Sequence, residues 1–217
     1  MREKLLELYD CLYAEYGPQN WWPAETPFEV IIGAILVQSA AWGNVVQAIN
    51  NLKAADLLTP DRLVEVPQDE LEVLIRPSGY YRVKAKKIRA FLEHLRENHD
   101  NRLESLFAKN RPMLREELLS IYGIGEETAD SILLYAAEKP IFVVDVYTYR
   151  LFTRLGWIDG KYHYGRLQNL FMEYLPHDTQ LFNEYHALIV SHGCRTCRKT
   201  PRCDTCVLLQ SCSYPEL

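Results

Sequence analysis

The chain has 217 residues, 48% of them hydrophobic, which excludes a disordered polymer and suffices for one large domain or two small ones. Its net charge of −5 does not advertise a nucleic-acid partner, so any such partner must be met by a local basic face. The longest strongly apolar run, residues 30–37, is too short to span a bilayer, and no charged-then-apolar leader opens the chain. A cytoplasmic protein without membrane contact is expected.

In chain order, Leu5, Leu6, Tyr9, Leu12, Tyr13 and Tyr16 recur at helical spacing until Gly17-Pro18 stops the helix. Cys11 is placed in the core of that helix. Trp21-Trp22-Pro23 follows. Thr26-Pro27-Phe28-Glu29 reads as a capping box with proline at the first helical position. The helix it opens is apolar nearly all round, so it should be buried. Further helices are expected over 42–52, 60–65, 68–75, 83–95, 115–121 and 126–137. Another should follow Asp145, and a long one should span about 178–192. Residues 141–144 form the sole β-like run. The expected fold is all-α, with neither internal repeats nor a flexible linker.

Three constellations carry chemistry. Gly123-Ile124-Gly125 lies between two helices, and glycine permits the close backbone approach that a phosphate needs. A helix-helix corner has the same pattern. Asp145 ends an apolar run twenty residues beyond Gly125, where it reads either as a helix N-cap or as a fixed anion for a cationic transition state. Five of the six cysteines fall between Cys194 and Cys212, a clustering that points to a metal or cluster site, not to a disulfide scaffold. Cys197, Cys203, Cys206 and Cys212, spaced Cys-x5-Cys-x2-Cys-x5-Cys, suit either a [4Fe–4S] cube or tetrahedral zinc. Basic residues gather at 82–89 and at Arg195, Arg198, Lys199 and Arg202, as a solvated face or as a phosphate patch.

Hairpin, Val143-Val144-Asp145 and cysteines, in that order, resemble the endonuclease III-like (HhH-GPD) DNA glycosylase superfamily with a C-terminal iron–sulfur cluster. Trp21-Trp22-Pro23, the run 37–42 and the run 76–81 are most similar to its 3-methyladenine DNA glycosylase branch. The resemblance implies two helical lobes with a DNA cleft between them. One is a six-helix barrel with the helix-hairpin-helix (28–137); the other joins 1–27 to 138–217 and carries the cluster. It implies that Asp145 is catalytic and that Trp21, Trp22, Pro23, Trp42 and Glu127 line the base pocket. Gln38 would fill the gap left in the duplex. Gly123, Ile124, Gly125, Thr128, Lys84, Lys86, Arg198 and Arg202 would contact DNA. The family's His-Gly anchor, here His192-Gly193, selects Cys197 as first ligand with a loop one residue short; Cys194 gives a rival spacing.

In the family's bifunctional members a lysine attacks the sugar, and here that position is Glu127, which cannot form a Schiff base. The implied activity is therefore a monofunctional N-glycosylase, without strand-cleaving lyase activity. It would act as a monomer on double-stranded DNA holding a damaged base, in the nucleoid of a bacterium or archaeon. A glycosylase for a mismatched or oxidised base, or a non-catalytic lesion binder, are the alternatives.

Overall fold

Thr26 accepts a hydrogen bond from the Glu29 amide and Pro27 opens the helix, so the capping chemistry read from the sequence sets where this element starts. The computed structural model describes residues 1–159, 161 and 163–214. It is all-α, with no strand among the described residues. The α-helices are α1 (Arg2–Tyr16), α2 (Pro27–Leu36), α3 (Trp42–Ala54), α4 (Pro60–Leu63), α5 (Gln68–Leu74), α6 (Tyr81–His99), α7 (Leu103–Phe107), α8 (Arg111–Ser120), α9 (Glu126–Ser131), α10 (Val146–Arg154), α11 (Tyr164–Tyr174) and α12 (Thr179–Arg195). None is long and apolar enough to cross a membrane.

The chain divides into two compact units, residues 24–139 and residues 1–23 with 140–217. In the first, α2 is the hub. Residues 28–36 are all buried, and the helix packs against α3, α6 and the π-helical turn that follows α9. That turn, Ile132–Ala136, replaces the second half of the single helix expected over 126–137.

The second unit packs α1, α10, α11 and α12 around an aromatic core of Phe142, Phe152, Phe171, Phe182 and Tyr185. Each such side chain contributes about 1.5–3 kcal/mol on burial. The Tyr185 hydroxyl donates to the Leu5 carbonyl (2.7 Å), which fixes α1 on α12. The sequence reading missed two helices, α7 and α11. The side chain of His163, an unusual N-cap, accepts from the Arg166 amide at the start of α11, so the ordinary capping signal is absent there. Cys11 is exposed, because the buried stripe of α1 runs through Leu5, Leu8 and Leu12 and leaves position 11 outside it.

Residues 141–144 are buried, lie outside any helix and pair with no strand. Three of their backbone groups meet side chains instead. Gln168 donates to the Phe142 carbonyl (2.7 Å), the Phe142 amide meets Met172 Sδ (3.3 Å), and the Val144 amide meets the Tyr164 hydroxyl (3.4 Å). This anchored segment delivers Asp145 to the start of α10.

Candidate functional site

Within residues 24–139, α8 and α9 form the hairpin. Arg115 grips the wholly buried carboxylate of Asp130 with Nε (2.7 Å) and Nη2 (3.1 Å), locking one helix on the other. Gly123 has φ 83°, and a Cβ there would strike the Lys87 side chain at 2.3 Å, so only glycine serves. Ile124 is buried and plugs the corner, leaving the turn's backbone as its outward face. Gly125 caps α9; Thr128 is buried and Glu127 is exposed on the first turn.

Gln38 docks on this hairpin. Its Nε2 donates to the Gly123 carbonyl (3.2 Å) and to Thr128 Oγ1 (2.9 Å), and its Oε1 accepts from Lys87. Trp42, the first residue of α3, is half-buried. Lys86 is exposed.

Lys84 corrects the sequence reading. It was expected on DNA phosphates, yet it is buried, and its ammonium donates to the carbonyls of Leu36 (2.7 Å) and Ser78 (2.6 Å). Burial pushes its amine down to about 8, with Lys87 adding to the shift. The helical period carried the signal, since 84 lies in register with the buried Ala85, Ile88, Phe91, Leu92 and Leu95. The amine thus ties the segment before Gln38 to the turn before Tyr80. Lys84→Met leaves two buried carbonyls unpaired, so we expect it to cost about 2–4 kcal/mol and to lower the melting temperature by several degrees in calorimetry. Lys86→Met should leave the melting temperature unchanged. Tyr80, within the run 76–81, is 73% exposed at φ 45°, and Tyr122 of the hairpin is exposed. Both offer flat apolar faces to solvent.

Within the other unit, Asp145 is the N-cap of α10. Its Oδ1 accepts from the Thr148 amide (2.7 Å) and hydroxyl (2.9 Å), and its Oδ2 lies 3.5 Å from His186 Nε2. The N-cap reading holds: one oxygen caps α10, and the other is turned to an imidazole. Burial raises the carboxyl's pKa, but His186 and Thr148 outweigh it and hold the group below the usual carboxylate range. Sequence reasoning missed His186, forty-one residues away on α12. Trp21 and Trp22 are half-buried with ring centroids 5.2 Å apart, and Pro23 is exposed.

Cys197, Cys203, Cys206 and Cys212 line one pocket, open to solvent, which Cys194 does not line. Cys194 is exposed and hydrogen-bonds Tyr147; that bond and burial push the tyrosine up to about 12. A single tetrahedral ion draws its sulfurs to about 2.3 Å from one point. Four thiols gathered at one pocket suit a multi-iron cube as well as a tetrahedral ion. Arg154 donates to Cys197 Sγ (3.2 Å) and to the carbonyls of Arg198 (2.7 Å) and Lys199 (3.0 Å). Arg150 donates to the carbonyls of Cys197 and Gly193, both at 2.8 Å. A Cβ at Gly193 would meet the Tyr147 ring at 2.5 Å, so glycine lets α12 close on α10. His192 bridges to the Tyr16 hydroxyl (2.9 Å), and its pKa is pushed down to about 4 by burial, with Arg150 adding, so the ring is neutral at pH 7. Arg198 and Arg202 are exposed on the loop so held. One helix therefore carries Asp145 at its start and the arginine clamps on the cysteine loop beyond.

Residues 32–177 match the HhH-GPD superfamily of base excision DNA repair proteins. A Methanocaldococcus jannaschii protein, classed provisionally as a DNA repair glycosylase, is 48% identical over 97% of this chain and 96% of its own. Endonuclease III of Thermotoga maritima is 30% identical over 87% of this chain and 83% of its own. The structure of H. pylori 3-methyladenine DNA glycosylase bound to 1,N6-ethenoadenine has a TM-score of 0.77 and 28% identity, covering 87% of this chain and 96% of that one.

Proposed function

The chain belongs to the HhH-GPD superfamily of base excision DNA repair proteins, and from that premise we propose a monofunctional DNA glycosylase that releases an alkylated purine, 3-methyladenine first among them. The observation that carries this reading is a buried carboxylate held ionised, Asp145, in a chain whose α9 bears Glu127 where a lyase would need an amine.

A purine methylated on the ring carries positive charge, so it departs as a neutral base and needs no acid. As the C1′–N bond breaks, its electron pair leaves with the base and positive charge develops on the sugar. Oδ2 of Asp145 faces that charge, and can take the proton of the water that attacks C1′. The products are a free base and an intact abasic strand. Base chemistry also requires the nucleotide to leave the duplex and lie between flat side chains. Trp21, Trp22 and Trp42 supply π-faces, which favour a cationic base further. Gln38 leaves its hairpin partners Gly123 and Thr128 to fill the gap.

Cys197, Cys203, Cys206 and Cys212 hold a [4Fe–4S] cluster in this reading. When bound, the cluster braces the loop from which Arg198 and Arg202 reach phosphates. The backbone of Gly123, Ile124 and Gly125, with Lys86, holds a strand of double-stranded DNA; the Thr128 side chain, expected on DNA, is buried against Gln38 and supports the turn instead. The enzyme acts as a monomer in the nucleoid.

The test is incubation with methylated duplex DNA. Free 3-methyladenine is expected, with nicks only after alkali and no borohydride-trapped adduct. A trapped adduct overturns the monofunctional reading. No release from methylated DNA, with release from mismatched or oxidised duplexes, reassigns the lesion; binding without release from any of them makes the protein a lesion binder.

A further inference from the structure

We propose that His94, His99 and Glu117 form a binding site for a divalent transition-metal ion, best suited to zinc, that bridges α6 and α8. One ligand atom from each lies within 4.8 Å of the others. His94 Nε2 stands 2.9 Å and His99 Nε2 2.7 Å from the same carboxylate oxygen, Oε1 of Glu117. Two imidazole nitrogens and a carboxylate are a donor set that zinc takes with a fourth position open to water. Magnesium and calcium prefer oxygen-only shells.

The surroundings are those of a ligand set rather than of chance neighbours. The other nitrogen of His99, Nδ1, lies 3.0 Å from Ser105 Oγ, which orients the ring as outer partners of metal-bound histidines do. Without an ion, His99 Nε2 donates to the Glu117 carboxylate; a metal takes the place of that proton, and Ser105 then accepts from Nδ1. His99 is buried on the inner side, while the His94 side chain is 22% exposed and gives an ion its way in. Lys109 holds the second carboxylate oxygen. Its side chain is one-third exposed and free to swing into water when a dication arrives. The site lies in the 24–139 unit, separate in sequence from every cysteine of the C-terminal loop, and is independent of the glycosylase reading.

The experiment is calorimetric titration of the purified protein, its cysteine site loaded, with zinc chloride. Wild type, His94→Ala, Glu117→Gln and Ser105→Ala are compared. One equivalent of zinc is expected to bind to wild type beyond the metal already present, and to raise its melting temperature with concentration. His94→Ala abolishes both effects, and Ser105→Ala weakens binding by about 10- to 100-fold. Absence of zinc binding by wild type overturns the proposal. So does undiminished binding by a folded His94→Ala. Should Glu117→Gln fail to fold, the partly exposed His94 and the outer Ser105 still decide it.

Discussion

Asp145→Asn should lower base release by about 10²- to 10⁴-fold while fold and DNA affinity stay close to wild type. Asparagine caps a helix as well as aspartate does, so the Thr148 contacts of α10 survive and only the charge is lost. Asp145→Ala removes charge and cap together, and is expected to cost a further ~1 kcal/mol or so of stability. Single-turnover base release and duplex binding, measured on the same preparations, separate the two effects. Unchanged turnover in Asp145→Asn removes the carboxylate from the reaction. The pH dependence has a definite sign. The folded-state pKa lies below the ordinary value of 3.8, so the carboxylate is ionised throughout the neutral and mildly acidic range. Its contribution to stability is whole above the unfolded value and is lost as pH falls through the folded one. The acid limb of base release should accordingly not show a group titrating between pH 5 and 7 that belongs to Asp145.

The second large effect is expected at the cysteines. Cys197→Ser should strip the iron and its visible absorbance and destabilise the 1–23/140–217 unit by more than about 4 kcal/mol, as losses of a metal anchor do. Cys197 is buried, is touched by Arg154 and lines the shared cavity. Cys194→Ser should keep both iron and stability within about 0.5 kcal/mol, because its thiol is exposed and outside that cavity. Iron analysis and thermal melts of the two variants settle the ligand set. Loss of iron from Cys194→Ser but not from Cys197→Ser reverses the assignment, and zinc in place of iron in wild-type protein removes the cluster.

Local chemistry was legible in the sequence wherever cause and effect lie within a few residues. Thr26, Pro27 and Glu29 set the start of α2 because an N-cap acts on an amide three positions away. Gly123 announced a turn because only glycine takes its φ at no cost. The cysteine spacing announced a multi-thiol site, and Asp145 announced both a cap and an anion. Tertiary packing decided the rest. The helical period puts Lys84 on the buried face of α6, but its partners, the carbonyls of Leu36 and Ser78, come only from the packing of the unit. Residues 141–144 form a β-like run, and side chains from α11, not a neighbouring strand, meet backbone groups of Phe142 and Val144. The gathering of Cys197, Cys203, Cys206 and Cys212 at one pocket beside α10, the grip of Arg154 on a loop forty-three residues away, and the pairing of His186 with Asp145 all join groups far apart in the chain. Such pairings depend on which helix faces meet, and that is fixed by the burial of apolar surface across the whole unit, not by any short run of residues.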